Sequence, residues 1–265
     1  MVRLGFLIAT LIAGLAAVVV WLANRAAFFP SKYPEGDWDA CRRIGAQEIT
    51  IPGRDGVILG GWWLKVPSAR LATLFLHGNA GNVTNRVWAM KEIVAAGSSI
   101  LLLDYRGYGR STGNPTESGL YRDAMAAYEY LQRTAGTPIV LHGESLGTAV
   151  ATHLAVEIDC AGLILEAPFP SARAVAARVL PWLGPLLVWG FETRKAISKV
   201  RCPILVIHGD RDNVIPFDLG QQVFAAAPEP KQFWEIRGAG HNDLAATAGP
   251  AYRERLEAFY RSLHR

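Results

Sequence analysis

Gly143-Glu144-Ser145-Leu146-Gly147 follows an apolar run at residues 138–141 and leads into a helix-forming stretch at residues 148–157, so Ser145 sits where a strand turns sharply into a helix. Such a turn predicts a strained backbone at the serine. A Cβ on either flanking position would collide with the neighbouring strand or helix, which accounts for Gly143 and Gly147. The strain lifts the Ser145 hydroxyl clear of the sheet edge and turns the amide of Leu146, at a helix N-terminus, toward the same space. A serine with an anion site beside it suits acyl transfer.

A serine hydroxyl is a poor nucleophile at neutral pH and needs a base within hydrogen-bond reach, itself oriented by a carboxylate. Residues 203–208 read as a buried strand running into Gly209-Asp210-Arg211-Asp212-Asn213-Val214-Ile215-Pro216. A further strand at residues 232–236 is followed by Gly238-Ala239-Gly240-His241-Asn242-Asp243. Asp212 lies past its strand end, where a carboxylate can reach an imidazole, whereas Asp210 suits a structural turn bond. Asp212 is therefore expected as the acid and His241 as the base. The usual fate of a lone loop histidine is to have no special partner, but the glycines around His241 suit a side chain that swings toward the serine. The order serine, acid, histidine is that of an α/β hydrolase.

A second oxyanion donor is expected from the loop after the strand at residues 72–76, His77-Gly78-Asn79-Ala80-Gly81-Asn82, with the Asn79 amide first and Ala80 second. His77 reads as a histidine that organises this loop. No metal or organic cofactor is expected, and no His-Glu-x-x-His pattern occurs.

At 265 residues the chain suits one domain that can bury a sheet on both faces. Its formal charge of +4 is scattered, with no basic stripe interleaved with aromatics, which argues against a nucleic-acid partner. The three cysteines, Cys41, Cys160 and Cys202, form none of the close pairs that bind zinc or carry redox work, and read as reduced packing residues.

Residues 4–23 carry no charge over about 20 positions, enough to cross the hydrocarbon core, and Arg3 and Arg25 flank them. This reads as a retained transmembrane anchor, since a signal peptide would have a shorter apolar core and a small-x-small cleavage pair. The cations Arg25, Lys32, Arg42 and Arg43 lean the domain toward the cytoplasmic side. Residues 24–45 read as a juxtamembrane linker whose aromatics lie at headgroup level, and residues 46–265 as the folded domain.

Within that domain, residues 47–51 and 57–66 read as an antiparallel hairpin joined through Pro52-Gly53-Arg54-Asp55-Gly56. Short apolar strands at 72–76, 99–103, 139–141, 162–165, 204–207 and 232–236 then alternate with helices at 82–96, 117–133 and 146–158. The class is α/β: a mostly parallel, doubly wound sheet with active loops at the strand C-termini.

Asp104-Tyr105-Arg106-Gly107-Tyr108-Gly109-Arg110-Ser111, followed by Gly113-Asn114-Pro115-Thr116-Glu117 and Asp123-Ala124, resembles the Bem46-like branch of α/β hydrolases. That branch is similar to the mammalian membrane-anchored ABHD family and to serine aminopeptidase-like proteins. The resemblance extends over residues 26–265, including the His-Gly-Asn loop, the elbow and the Gly-Ala-Gly-His end. It implies hydrolysis of carboxylic esters or thioesters, lipids among them, and a single N-terminal anchor. Read on their own, Tyr105, Arg106 and Asp104 are loop organisers.

Residues 169–199 form an insertion rich in Val179, Leu180, Trp182, Leu183, Leu186, Leu187, Val188, Trp189 and Phe191, interrupted by Pro181 and Pro185. It is either a helix packed on the core or a small apolar cap that admits an acyl chain and touches the bilayer. The rival activities are an aminopeptidase, which needs an acidic pocket not assignable to Glu144 or Glu166 from sequence, and an acyltransferase. The rival of another class is a membrane-anchored scaffold without activity, whose mark would be a missing serine, acid or histidine.

Overall fold

The computed structural model describes Gly14 and residues 28–263. The expected membrane span at residues 4–23 lies, Gly14 apart, outside the described residues, and no helix among those described is long and apolar enough to cross a membrane. A short parallel pair joins β1 (Phe29–Pro30) to β5 (Ala80–Gly81). The main sheet has eight strands in the order β10-β9-β8-β7-β4-β6-β3-β2. Its antiparallel edge is the hairpin β2 (Gln47–Pro52) and β3 (Ile58–Leu64). The parallel part comprises β4 (Leu71–Leu76), β6 (Ser98–Leu103), β7 (Ile139–Glu144), β8 (Gly162–Glu166), β9 (Ile204–Gly209) and β10 (Lys231–Ile236).

Alternation along the strands sends successive side chains to opposite faces, so each face needs its own cover. On one face Leu74, Leu141, Leu163 and Val206 pack with α3 (Glu117–Thr134) and α4 (Leu146–Glu157). On the other, Phe75, Val140, Ile164 and Leu205 pack against α1 (Ala40–Arg43), α2 (Val87–Ala95) and α8 (Pro250–Ser262). The expected helix at residues 82–96 begins as a 3-10 turn, Val83–Arg86, because Asn82 caps it: its side chain accepts from the Thr84 amide, and Asn85 reaches back to the Asn82 amide.

The stretch read as a linker is docked on the domain. Trp38 meets Trp62 edge-on at 6.0 Å between ring centroids, and Tyr33 meets Trp38 at 5.5 Å. Asn82 donates to the Ser31 and Glu35 carbonyls. Of the aromatic residues that suggested headgroup contact, Trp38 packs on Trp62 and Phe28 on Phe191, whereas Phe29 and Tyr33 keep exposed faces. Residues 169–199 form three short helices, α5 (Ala172–Val179), α6 (Gly184–Leu187) and α7 (Thr193–Ile197); α7 buries Ile197 in the core, whereas α5 buries no residue fully.

The chain leaves β4 toward β6 on one side and returns to β7 on the other, a topological switch that opens a crevice at the C-terminal ends of β4 and β7. The elbow after β7 fills that crevice tightly. Ser145 has φ 51° and ψ −114°, its amide donates to the Glu166 carbonyl at 2.8 Å, and Thr148 hydrogen-bonds back to its carbonyl. A Cβ on Gly143 would lie 2.4 Å from the Gly147 carbonyl oxygen, and one on Gly147 would lie 1.8 Å from the Leu76 carbonyl oxygen. Gly147→Ala is expected to cost about 3 kcal/mol or more, because backbone must move to admit the methyl group. Gly136→Ala, where the added carbon meets nothing within 4 Å at φ +70°, is expected to cost only about 1–2 kcal/mol of backbone strain. Urea unfolding midpoints of the two variants check the difference.

Candidate active site

Three loops at the C-terminal rim of the sheet bring Ser145, His241 and Asp212 together. His241 Nδ1 lies 2.7 Å from Asp212 Oδ2, and His241 Nε2 lies 3.0 Å from Ser145 Oγ. With an ionised Asp212, Nδ1–H donates to the carboxylate, which leaves Nε2 as an acceptor for the serine hydroxyl. The imidazole is 10% exposed and the Asp212 side chain is fully buried, so this chain of bonds meets solvent at its histidine and serine but not at its acid.

Asp212 is over-determined. Its Oδ1 accepts from the amides of Val214 at 2.9 Å and Ile215 at 2.8 Å. His208, the penultimate residue of β9, donates from Nε2 to the Ile215 carbonyl at 2.9 Å and lies 3.4 Å from Asp212 Oδ2. Burial opposes charge on Asp212, but the hydrogen bonds from His208, His241 and the Ile215 amide outweigh it and hold the carboxyl well below the usual carboxylate range. Asp210, the competing acid, accepts instead from the Gly238 amide at 2.6 Å, which ties the turn after β9 to the turn after β10.

The loop after β4 runs beside the serine. An added Cβ on Gly78 would lie 3.4 Å from the Ser145 Cβ. His77 donates from Nδ1 to the Gly78 carbonyl at 2.7 Å, and Tyr105 donates to the His77 carbonyl at 3.1 Å. Tyr108 donates to Asn79, whose backbone and side-chain oxygens lie 2.9 and 3.1 Å from its hydroxyl. Leu146 is the first residue of α4, so its amide has no intrahelical acceptor. Asp104 accepts from the Val83 amide, and Arg106 is paired with Asp123 and Asp55, so both organise their loops as expected.

Sequence reasoning passed over Arg86, Tyr108 and His208. Arg86 donates to Glu144 at 3.0 Å and to the Ala80 carbonyl at 2.8 Å, clamping the loop that carries Asn79 to the residue before the serine. The visible signal for His208 was one polar ring closing an otherwise apolar strand; Arg86 and Tyr108 carried none. A cleft of about 690 Å³ opens beside His241, with Glu144, Glu166, Arg86, Trp88 and Asn242 in its wall. Glu166 there accepts from His142 Nε2 at 2.7 Å and from the Tyr252 hydroxyl. Among the described residues no cluster of His, Cys, Asp and Glu is arranged to hold a metal.

Residues 73–194 match the alpha/beta hydrolase family. An uncharacterised protein of Mycobacterium tuberculosis is 36% identical over 260 residues, which cover 95% of this chain and 92% of the relative. The chain belongs to the α/β hydrolase family and is a hydrolase of that fold. Human alpha/beta hydrolase domain-containing protein 17C is 37% identical over 201 residues, 73% of this chain and 59% of that protein. Among solved structures, an esterase of Pyrococcus furiosus superposes with a TM-score of 0.76 over 89% of this chain and 98% of its own, at 18% identity, a likeness of fold alone.

Because the folded state depresses the pKa of Asp212, its charge stabilises the fold fully above the unfolded carboxylate range near pH ~4 and progressively less as pH falls toward the folded value. Asp212→Asn removes that dependence. Urea midpoints taken across the acid range are expected to show the parent losing stability more steeply than the variant below pH ~4.

Proposed function

We propose that this chain is a serine hydrolase that cleaves carboxylic esters or thioesters through an acyl-enzyme, with Ser145 as nucleophile, His241 as base and Asp212 as the group that orients it. The reading rests on one observation, the continuous hydrogen bonding from Asp212 through His241 to Ser145 Oγ. Ser145 attacks the carbonyl carbon while His241 Nε2 takes its proton. Asp212 stabilises the imidazolium, and the amides of Leu146 and Asn79 receive the oxyanion. His241 then protonates the leaving alcohol or thiol, and water enters by the same route to release the acid.

Fluorophosphonate labelling tests this. Stoichiometric modification at Ser145, lost in Ser145→Ala, is expected; a folded parent that stays unlabelled would favour the inactive scaffold. The aminoacyl reading has one observation in its favour, the Glu144 and Glu166 carboxylates in the cleft wall beside His241, although Arg86 already neutralises Glu144. Aminoacyl amides therefore belong in the substrate panel beside graded p-nitrophenyl esters and acyl thioesters.

Acyl chains, those of lipids included, are the substrate class we assign, on the apolar face of residues 169–199 acting as a cap. Trp182 is 92% exposed and Val179 78%, with Leu180, Leu183, Leu186 and Trp189 about half exposed beside them. Phe28 packs edge-on against Phe191 at 6.2 Å between ring centroids, so the chain following the apolar run at residues 4–23 joins the domain at this cap. We read that run as a membrane anchor, which would hold the exposed face near a bilayer. Replacing Trp182 and Leu186 together by Glu is expected to lower kcat/KM for long-chain esters about tenfold relative to short-chain ones. An unchanged ratio removes the cap from substrate selection.

A further inference from the structure

Cys160 and Cys202 are 42 positions apart in the chain, yet their sulfurs lie 3.2 Å from each other. The register of the sheet puts them there. β8 and β9 run parallel with Leu163 opposite Ile204, and the Leu163 amide donates to the Pro203 carbonyl, so the residues just before the two strands stand side by side. Neighbouring strands are about 4.8 Å apart, and a disulfide spans Cα separations of about 4.4–6.8 Å. Side-chain rotation that shortens the sulfur contact by about 1.2 Å would bring it to bonding length. Both cysteines carry free thiols in this structure.

We propose that Cys160 and Cys202 form an oxidation site that closes to an intramolecular disulfide on reaction with a peroxide. The Cys160 thiol donates to the Cys202 sulfur, and this bond lowers the pKa of Cys202 while raising that of Cys160, which makes Cys202 the attacking thiolate. Its sulfur takes one peroxide oxygen, the O–O bond breaks, and hydroxide leaves, giving a sulfenic acid at Cys202. The Cys160 sulfur then attacks that sulfur. The S–S bond forms, the S–O bond breaks, and water departs with the Cys160 proton, so two thiols and one hydrogen peroxide become one disulfide and two waters. Cys160 is half-buried and Cys202 is buried at 9% exposure, so the pair meets solvent chiefly at Cys160. Cys41 is not a rival: it is buried on α1 against the opposite face of the sheet, and burial pushes its thiol up to about 11.

The bond would close a ring that contains β8 and all of residues 169–199, tying the start of β8 to the start of β9. It lies at the opposite end of the strands from Ser145, and it stands whether or not the hydrolase reading does.

The full-length chain, reduced and then titrated with hydrogen peroxide, is alkylated and read by intact mass and peptide mapping. The expected result is loss of two hydrogen atoms, a cross-linked peptide pair joining residues 160 and 202, and a Tm rise of roughly 5–10 °C that dithiothreitol reverses. Cys202→Ser and Cys160→Ala should each abolish the cross-link and the Tm rise, while Cys41→Ser keeps both. Peroxide treatment of the parent that yields only sulfinic acid, or two alkylatable thiols with no cross-link, overturns the proposal. So does an equal Tm rise in Cys202→Ser.

Discussion

The contact between α4 and the end of β4 leaves no room for a side chain: a methyl on Gly147 would overlap the Leu76 carbonyl oxygen. That approach is what lets β7 turn into α4 within one residue, and it confines Ser145 to a backbone conformation that few non-glycine residues adopt. The remainder of the rim depends on it. The helix N-terminus, the loop after β4 and the serine hydroxyl share one small volume only while β4, β7 and α4 are pressed together in this way.

Around that volume the loops are held by polar bonds that run from exposed at Arg86–Ala80 to fully buried at His208–Asp212, the buried ones resisting displacement because an unpaired polar group in the interior costs more than the bond contributes in water. Arg86 bridges Glu144 and Ala80, Tyr108 holds Asn79, and His208 stands behind Asp212. The Arg86 and Tyr108 bridges join segments carrying candidate site residues to neighbouring segments, while His208 braces Asp212 from within its own strand and loop. The electrostatic outcome at Asp212 has the same origin: desolvation alone would favour the neutral acid, and converging donors reverse it.

The parallel strands were legible because buried strands write short apolar runs, and the elbow because a tight turn demands glycine at fixed offsets. The docking of residues 28–45 was not. Tyr33 and Trp38 look alike along the chain, and only the fold shows that Trp38 packs against Trp62 while Tyr33 keeps an exposed face. Residues 169–199 were equally undetermined in sequence, since an apolar segment broken by prolines suits a packed helix or an exposed cap; three short helices with Trp182 turned outward are what the fold makes of it. The cysteines show the same limit. Read along the chain, Cys160 and Cys202 are unrelated packing residues, and the strand register makes them neighbours.

Local chemistry is written in local order, and so the sequence by itself determined the strand–helix alternation, the elbow, the order of serine, acid and histidine, and the candidacy of Asp212 over Asp210. Only the tertiary structure decided which groups meet: that His241 spans Ser145 and Asp212, that Arg86 and Tyr108 hold the loop beside them, and that two thiols face each other across adjacent strands. The physical reason is that hydrogen bonds and sulfur contacts act over about 3 Å, whereas the residues making them are separated along the chain by dozens of positions that sheet order and register alone bring together.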